Sequence, residues 1–195
     1  MDLILIATAM TLLYYKRKSG QKSEREEFLI TIRSANDDDI ESILDIYSPH
    51  ASNPKSAITF EETVPSLEEM KRRRQQVIAA NDPYLVAIRN NTVIGYAYTH
   101  PFRERPAYRF TTELSIYVKS GEQSRGAGRK LMKKLIHACR CNGKKSMIAV
   151  LGSESLQTWY KKFGFSTIGC FRNVGWKPQI GWIDRWMMEL VFSST

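Results

Sequence analysis

The chain of 195 residues is long enough for one domain with a sizeable hydrophobic core, or for one domain and a tail. Hydrophobic residues at 43% and charged residues at 25% are typical of a globular protein, and they exclude collagen, a long coiled coil, wholesale disorder and a polytopic membrane protein. Three cysteines exclude a disulfide scaffold and favour a reducing compartment. The net charge of +9 implies an acidic partner: nucleic acid, a membrane or a phosphorylated cofactor.

Residues 1–24 are predicted to form a leader outside the folded domain, which we place at residues 28–192. Residues 3–15 are almost entirely apolar, but as a helix they would be about 20 Å long, short of the roughly 30 Å hydrocarbon core. Asp2 precedes the run where a secretory signal carries positive charge, and Lys16, Arg17 and Lys18 follow it. A weak membrane anchor and a packing or disordered extension remain open as interpretations of the leader; the domain itself is expected in the cytoplasm.

Hydrophobic periodicity and turn residues predict eleven elements in the order β-α-α-β-β-β-α-β-α-β-β. Strands are expected at residues 28–33, 84–89, 92–99, 108–118, 146–151, 166–171 and 182–192, and helices from residues 37, 66, 126 and 155 onward. A short extended piece over residues 57–61 is expected between the first two helices. This order predicts a single α/β domain, with a mixed sheet and helices on both of its faces.

A glycine-containing loop between a strand and a helix is the strongest candidate for a phosphate site. Gln123-Ser124-Arg125-Gly126-Ala127-Gly128 follows the predicted strand 108–118, and its glycines let the backbone approach a ligand closely. The helix that begins there directs free N–H groups and the positive end of its dipole at the loop. Residues 119–145 hold nine basic residues against one acid, a local charge of +8. A pyrophosphate group therefore fits this loop.

The pattern Q-x-x-G-x-G after a strand resembles the acetyl-CoA loop of the GNAT superfamily of N-acetyltransferases. Smaller motifs at matching order and spacing narrow the resemblance to the phosphinothricin or methionine sulfoximine acetyltransferase family, among them Thr59-Phe60, Glu113-x-Ser-Ile-Tyr-Val118 and Gly181-Trp-x-Asp184. The resemblance covers about residues 30–192. It implies a mostly antiparallel, twisted sheet, acetyl-CoA as co-substrate and a homodimer.

The same resemblance implies which residues contact the cofactor. Backbone groups of the strand before the loop are expected to pair with the pantetheine arm, and the loop is expected to hold the phosphates. The family usually carries an Asn after the next strand, where this chain has the shorter Leu151-Gly-Ser-Glu-Ser155, so that Ser153 is the nearest substitute. The expected cofactor-binding residues are Ile116, Tyr117, Val118, Gln123, Ser124, Arg125, Gly126, Ala127, Gly128, Arg129 and Ser153.

Acyl transfer from a thioester to an amine needs a base for the ammonium proton and an acid for the leaving thiolate. Glu113 is the only acid in the predicted strand 108–118 and shares a strand face with Ser115 and Tyr117, which makes it the candidate base. Tyr160, in Tyr-Lys-Lys-Phe-Gly-Phe, resembles the general acid of the superfamily, although relatives in the phosphinothricin group can carry His there. An ordinary strand glutamate and a core aromatic remain the alternatives.

The candidate acceptor site is the loop before the Glu113 strand. Arg103 and Arg105 could bind a carboxylate with two hydrogen bonds each, and Phe102 and Tyr108 could wall the acceptor side chain; a solvated basic loop is the alternative. No metal is expected, because His137-x-Cys139-x-Cys141 lies on one predicted helix without a distant pair of ligands. His50 and His100 are expected to lie isolated in loops.

Together these features predict an acetyl-CoA-dependent N-acetyltransferase that acts by direct transfer on the amine of a small amino acid or an analogue. Three other functions stay open: a protein or peptide N-acetyltransferase on the same scaffold, a non-catalytic acyl-CoA-binding module and a basic nucleic-acid binder. We assign the largest share of the positive charge to coenzyme A and expect no nucleic-acid partner.

Overall fold

The computed structural model describes residues 29–192, so the expectations for the leader and for Phe28 lie outside the described residues. The strands are β1 (Thr31–Ser34), β2 (Tyr84–Arg89), β3 (Thr92–Pro101), β4 (Thr111–Val118), β5 (Ser146–Leu151), β6 (Ser166–Lys177) and β7 (Gly181–Val191). The helices are α1 (Ile40–Ala51), α2 (Leu67–Ala79), α3 (Ala127–Cys141) and α4 (Gln157–Lys161). This is the predicted order of elements. No helix within the described range is both long and apolar enough to cross a membrane.

All seven strands form one sheet with the order β1-β2-β3-β4-β5-β7-β6. Every neighbouring pair is antiparallel except β4 and β5, which run parallel. Helices α1 and α2 pack on one face of the sheet, and α3 and α4 pack on the other. The predicted mixed, mostly antiparallel sheet with helices on both faces is therefore confirmed.

Each face of the sheet buries its own hydrophobic cluster. On the α3 face, Leu131, Met132 and Leu135 are fully buried because they recur at helical spacing toward the sheet. On the α1 face, Ile40 and Ile43 are equally buried. Each such side chain contributes about 1.5–3 kcal/mol to folding, so the two clusters fix the sheet between its helices.

The strands β4 and β5 separate at their carboxyl ends. Their pairing runs from Thr111–Ser146 to Leu114–Ala149 and stops there, although β4 continues to Val118 and β5 to Leu151. Beyond that point β4 pairs only with β3, and β5 pairs only with β7. A wedge-shaped gap, here called the cleft, therefore opens between the two parallel strands, and it positions the candidate site.

Several sequence-based boundaries are wrong. Tyr108 does not begin a strand; it ends the 3₁₀ turn Pro106–Tyr108, because proline suits the first position of such a turn and Arg109 N closes it by donating to Pro106 O at 3.2 Å. Residues 57–61 form no strand of the sheet. His50 lies in α1 and His100 in β3, so neither is a loop residue. Strand β6 extends past residue 171 to Lys177.

Candidate active site

The glycine-containing loop joins β4 to α3 at the open end of the cleft. Gly126 is the N-cap of α3 and has a left-handed backbone with φ of 93°, which glycine adopts without strain. The first helical hydrogen bond there runs from Lys130 N to Gly126 O at 3.0 Å, so the N–H groups before Lys130 have no helical acceptor. The side chain of Gln123 accepts from Gly121 N at 2.8 Å and donates to Val118 O at 3.3 Å, which ties the loop to the end of β4.

The start of α3 also lies against α4. A Cβ placed on Gly128 would lie 3.5 Å from Trp159 Cζ2 and 3.6 Å from Val118 Cγ2, which are ordinary contact distances. Arg125 and Arg129 are exposed on the same turn. The helix start, the end of β4 and α4 therefore meet at one place, with positive charge on its outer side.

The backbone of β4 offers polar groups to the cleft. Lys119 N donates to Ile94 O on β3 at 2.9 Å. Because backbone groups alternate in direction along a strand, those of Tyr117 point to β3 and those of Ile116 and Val118 point to the cleft. There they lie beyond the last pair with β5, so they can pair with an extended ligand as a strand would.

The side chain of Tyr117 belongs to an aromatic cluster on the α1 face. Its ring centroid lies 5.0 Å from that of Tyr96, 5.4 Å from that of Tyr47 and 5.7 Å from that of His50. Burial raises the pKa of Tyr117 well above its ordinary value, so the phenol stays neutral. Of the residues expected to bind cofactor, Tyr117 thus presents its ring to the α1 face rather than to the glycine loop.

Glu113 lies at the closed end of the cleft. It pairs with His100 on β3 and with Ile148 on β5, one residue before the pairing of β4 with β5 ends at Leu114. Its half-buried side chain is on the α1 face, the face of Tyr117. The ring of Tyr98 stacks on that of Tyr96 with 6.2 Å between centroids; burial raises the pKa of Tyr98, and the Glu113 carboxylate acts in the same direction.

Tyr160 lies on α4, beside the glycine loop. It is 7% exposed, and its ring packs edge-on against Trp159 at 5.0 Å and Phe165 at 5.4 Å between centroids. Burial raises the pKa of Tyr160, so its hydroxyl holds its proton and can act as a donor. Ser153, which follows β5, is exposed and shares a hydrogen bond of 2.8 Å with Ser155.

The four expected acceptor residues lie together, but at the other end of β4 from the glycine loop. Phe102, Arg103, Arg105 and Tyr108 line an open depression of about 600 Å³ between β3 and β4. The rings of Phe102 and Tyr108 are 6.0 Å apart, and the Arg103 guanidinium lies 4.5 Å from the Phe102 centroid. Both arginines are exposed. Glu113 lies between this depression and the glycine loop along β4.

The sequence did not predict that residues 56–61, here called the strap, are held over the sheet by side chains. Lys177 on β6 is 2% exposed, and its Nζ donates to the carbonyl oxygens of Ser56, Thr59 and Glu61 at 3.2, 3.4 and 3.2 Å. Arg185 on β7 donates to a fourth carbonyl of the strap, that of Ala57. The strap is therefore fixed to the far strands of the sheet by two buried cations.

At its other side the strap contacts the aromatic cluster. Thr59 Oγ1 and Tyr47 Oη share a hydrogen bond of 2.8 Å, and Tyr47 contacts Tyr117. The strap thus joins β6 and β7 to α1, which contacts β4 through Tyr117, above the face that carries Glu113. One sequence signal could have indicated this contact: Arg185 is a charged residue at an inward-facing position of β7, between Ile183 and Met187.

We expect Lys177→Met to lower the free energy of unfolding by about 3 kcal/mol, because it leaves three buried carbonyl groups without their charged donor. Lys55→Met is the matched control, since Lys55 is exposed beside the same strap. Urea unfolding of both variants checks this; equal midpoints for the two would contradict the role of Lys177 in holding the strap.

The His-Cys motif of α3 does not bring its three side chains together. His137 Nε2 and Cys141 Sγ lie 3.6 Å apart at the surface, whereas Cys139 is fully buried and contacts Thr99. Among residues 29–192 there is no group of three or more His, Cys, Asp or Glu side chains that could hold a metal ion.

Comparison with known proteins agrees with this fold. Residues 40–165 match the acetyltransferase (GNAT) family model. The chain is 36% identical over 163 residues to the phosphinothricin N-acetyltransferase of Alcaligenes faecalis, with 82% of this chain and 81% of that protein covered. It is 32% identical to the L-methionine sulfoximine/L-methionine sulfone acetyltransferase of Salmonella typhimurium, with 83% and 94% covered.

A solved structure is similar to this chain both in fold and in sequence. It is a phosphinothricin acetyltransferase of Sinorhizobium meliloti in complex with acetyl-CoA, which is 35% identical, has a TM-score of 0.79 and aligns with 85% of this chain and 89% of its own. The splayed strands and the glycine loop thus belong to an N-acetyltransferase fold. The chain belongs to the GNAT acetyltransferase family, and within it to the N-acetyltransferases similar to those for phosphinothricin and methionine sulfoximine.

Proposed function

We propose that this enzyme transfers the acetyl group of acetyl-CoA directly to the amine of a small amino acid or an analogue such as phosphinothricin or methionine sulfoximine. The observation that carries the proposal is the cleft, which has the half-buried Glu113 at its closed end and the glycine loop at its open end. The relatives named above support the acceptor class.

Coenzyme A would lie along the open side of the cleft. Its pyrophosphate fits the N–H groups of the loop from Ser124 to Gly128 and the charges of Arg125 and Arg129. Its pantetheine arm pairs with the backbone of Ile116 and Val118, which places the thioester near Glu113. Gln123 shapes the loop, and Ser153 offers a hydroxyl where the family usually carries an Asn.

The chemistry then follows from two side chains. Glu113 removes a proton from the ammonium group, directly or through one water, because only the neutral amine is a nucleophile. The amine nitrogen attacks the thioester carbon, a C–N bond forms, and the C–S bond breaks. The nitrogen gives up its second proton to solvent, and Tyr160, which keeps its proton through burial, donates it to the departing thiolate. Glu113 then releases its proton to solvent, and Tyr160 regains one from solvent. The products are the N-acetyl amino acid and free coenzyme A.

The acceptor would enter from the face of Glu113. Arg103 and Arg105 are proposed to bind its α-carboxylate, and Phe102 and Tyr108 to contact the first methylene groups of its side chain, after the loop has closed toward Glu113. The open depression that these four residues line, of about 600 Å³, is large enough for an amino acid. The activity is assigned to residues 28–192 in the cytoplasm, with the leader dispensable.

The enzyme is also proposed to be a homodimer. Several large apolar side chains on the β6–β7 hairpin are about half exposed or more, as a contact surface for a second copy would be. They include Phe171 at 49%, Trp176 at 54% and Trp182 at 65%. Light scattering of the purified chain should give twice the chain mass; a monomer at micromolar concentration would refute the dimer.

A panel of acceptors tests the activity. Release of coenzyme A from acetyl-CoA should depend on a free amino acid with an α-amine. Peptides that outcompete free amino acids would instead favour a protein or peptide acetyltransferase. Binding of acetyl-CoA without turnover of any acceptor would favour a non-catalytic module.

We expect Tyr160→Phe to lower kcat about tenfold, because the thiolate must then take its proton from water. The KM for acetyl-CoA should change less than twofold, since the phenyl ring keeps its packing against Trp159 and Phe165. Phe163→Tyr is the control, since Phe163 also packs against the ring of Trp159. An unchanged kcat in Tyr160→Phe would remove this residue from the mechanism.

A further inference from the structure

Arg185 is a buried cation on the same face of the sheet as the proposed base. Strand β7 pairs with β5 so that Glu189 lies opposite Ile148 and Trp186 opposite Leu151. Since Ile148 also lies opposite Glu113, side chains at positions 189, 187 and 185 share the face of Glu113. Arg185 therefore faces the strap and the α1 side, not the α3 core.

The surroundings of the Arg185 guanidinium are unusual for a buried charge. The residue is 6% exposed, its Cζ lies 3.9 Å from the centroid of Phe60, and a Cβ on Gly152 would be 2.8 Å from its Nη1. Its hydrogen bond to Ala57 O uses one of five N–H donors. Within residues 29–192, no carboxylate forms an ion pair with it.

Lys177, the other cation that holds the strap, shows what a purely structural charge looks like. All three donors of its ammonium group have a carbonyl acceptor in the strap. Arg185, by contrast, retains a fork of N–H groups beyond the one that the strap uses. Burying a cation without a counter-ion is unfavourable because the charge loses its hydration, and an anion that binds there would offset this loss.

Arg185 also lies within reach of the cleft. Burial lowers the pKa of Arg185, as expected for a cation removed from water. Gly152, against which the guanidinium packs, is the first residue after β5. The phosphates of coenzyme A are assigned to the start of α3 instead, so the acceptor is the remaining source of an anion.

We propose that Arg185 binds an acidic group on the side chain of the acceptor, and thereby makes this enzyme prefer acceptors such as phosphinothricin over neutral ones such as methionine sulfone. The inference rests on the proposed function and adds the specificity determinant. Guanidinium matches a carboxylate or a phosphinate with two parallel hydrogen bonds, which an uncharged sulfone cannot reproduce at equal strength.

The spacing favours the side-chain acid over the α-carboxylate. Glu189 on β7 lies in the same row of the sheet as Glu113, two strands away, and Arg185 is four residues from Glu189 along β7. The backbones of Glu113 and Arg185 are therefore separated by about 13 Å along the strands and about 10 Å across them. Side chains of Glu and Arg span part of this separation. The α-carboxylate is one carbon from the amine and would stay beside Glu113, whereas a side-chain acid three carbons away extends toward Arg185.

The test compares two acceptors in the wild type and in Arg185→Met. With phosphinothricin, kcat/KM should fall about 30-fold or more, mainly through KM, as expected for loss of a charge-assisted hydrogen-bonded pair. With L-methionine sulfone it should change less than threefold. Arg185→Lys keeps the charge but not the paired N–H groups of the guanidinium, so its kcat/KM with phosphinothricin should fall less than that of Arg185→Met. The Lys variant also keeps the test usable if the Met variant does not fold.

Each alternative result is decisive. Equal losses for both acceptors in both variants would mean that Arg185 only holds the strap, and unchanged constants would mean that it contacts no substrate. If Arg185→Met lowered kcat/KM for L-methionine sulfone but not for the amide of L-methionine sulfone, Arg185 would bind the α-carboxylate, and the assignment to the side-chain acid would be overturned. A wild type that acetylates both acceptors equally well refutes the preference but leaves the proposed function intact; a wild type that acetylates neither refutes both.

Discussion

Replacing Glu113 by Gln should lower kcat about 100-fold or more at neutral pH, within the range usual for loss of a general base. Gln has the shape of Glu but cannot accept the ammonium proton, so the change isolates the proton transfer. The KM for acetyl-CoA should change less than twofold, since the cofactor contacts are made by backbone groups of β4 and by the glycine loop. Steady-state rates of coenzyme A release measure both constants.

Glu189→Gln provides the matched control. Glu189 is a half-buried strand glutamate on the same face as Glu113 and in the same row of the sheet, two strands away. Its variant should keep kcat within twofold. The rate of Glu113→Gln should also recover several-fold between pH 7 and pH 9, because the fraction of acceptor whose α-amine is neutral, and therefore nucleophilic, rises with pH. A Glu113→Gln enzyme as active as Glu189→Gln would contradict the role of Glu113.

Gly126→Val should raise the KM for acetyl-CoA about tenfold or more. The backbone of Gly126 has φ of 93°, which a β-branched residue adopts only with about 1–3 kcal/mol of strain. The strain would distort the loop that is proposed to hold the pyrophosphate, and kcat at saturating cofactor should change much less. Initial rates at varied acetyl-CoA concentration separate the two effects.

Gly143→Val is the control for backbone strain alone. Gly143 follows the opposite end of α3, has φ of 75° and has no atom within 4 Å of an added Cβ. It should lose stability as Gly126→Val does but keep the KM for acetyl-CoA. Equal changes of KM in the two variants would show that the effect comes from a weakened helix and not from the phosphate site.

Local signals explain why the element order can be predicted from the sequence. The hairpin turn at Asn90 and Asn91, with φ of 49° and 59°, and the Ser66 cap of α2, which accepts from Glu69 N, are each coded within a few residues. The cofactor loop is similar, since its glycines, its strand and its helix are contiguous. Such features need no knowledge of what lies across the fold.

The strap and its two cations depend on distant contacts instead. Lys177 and Arg185 bind carbonyl groups more than 110 residues earlier in the chain, and no periodic pattern predicts such a pair. The divergence of β4 from β5 is equally hidden, because it depends on which partner each strand keeps. Pro106 misled the prediction locally, since the apolar residues after it resemble the start of a strand but close a 3₁₀ turn.

The enzyme is proposed to acetylate an amino-acid amine directly at the cleft. The most direct test incubates the purified enzyme with acetyl-CoA and phosphinothricin, and follows both products by mass spectrometry. Direct transfer should give N-acetylphosphinothricin in equal amount with free coenzyme A, and initial-rate lines that intersect when both substrates are varied, as for a ternary complex. No N-acetyl product, or parallel lines that indicate an acetylated enzyme intermediate, would contradict it.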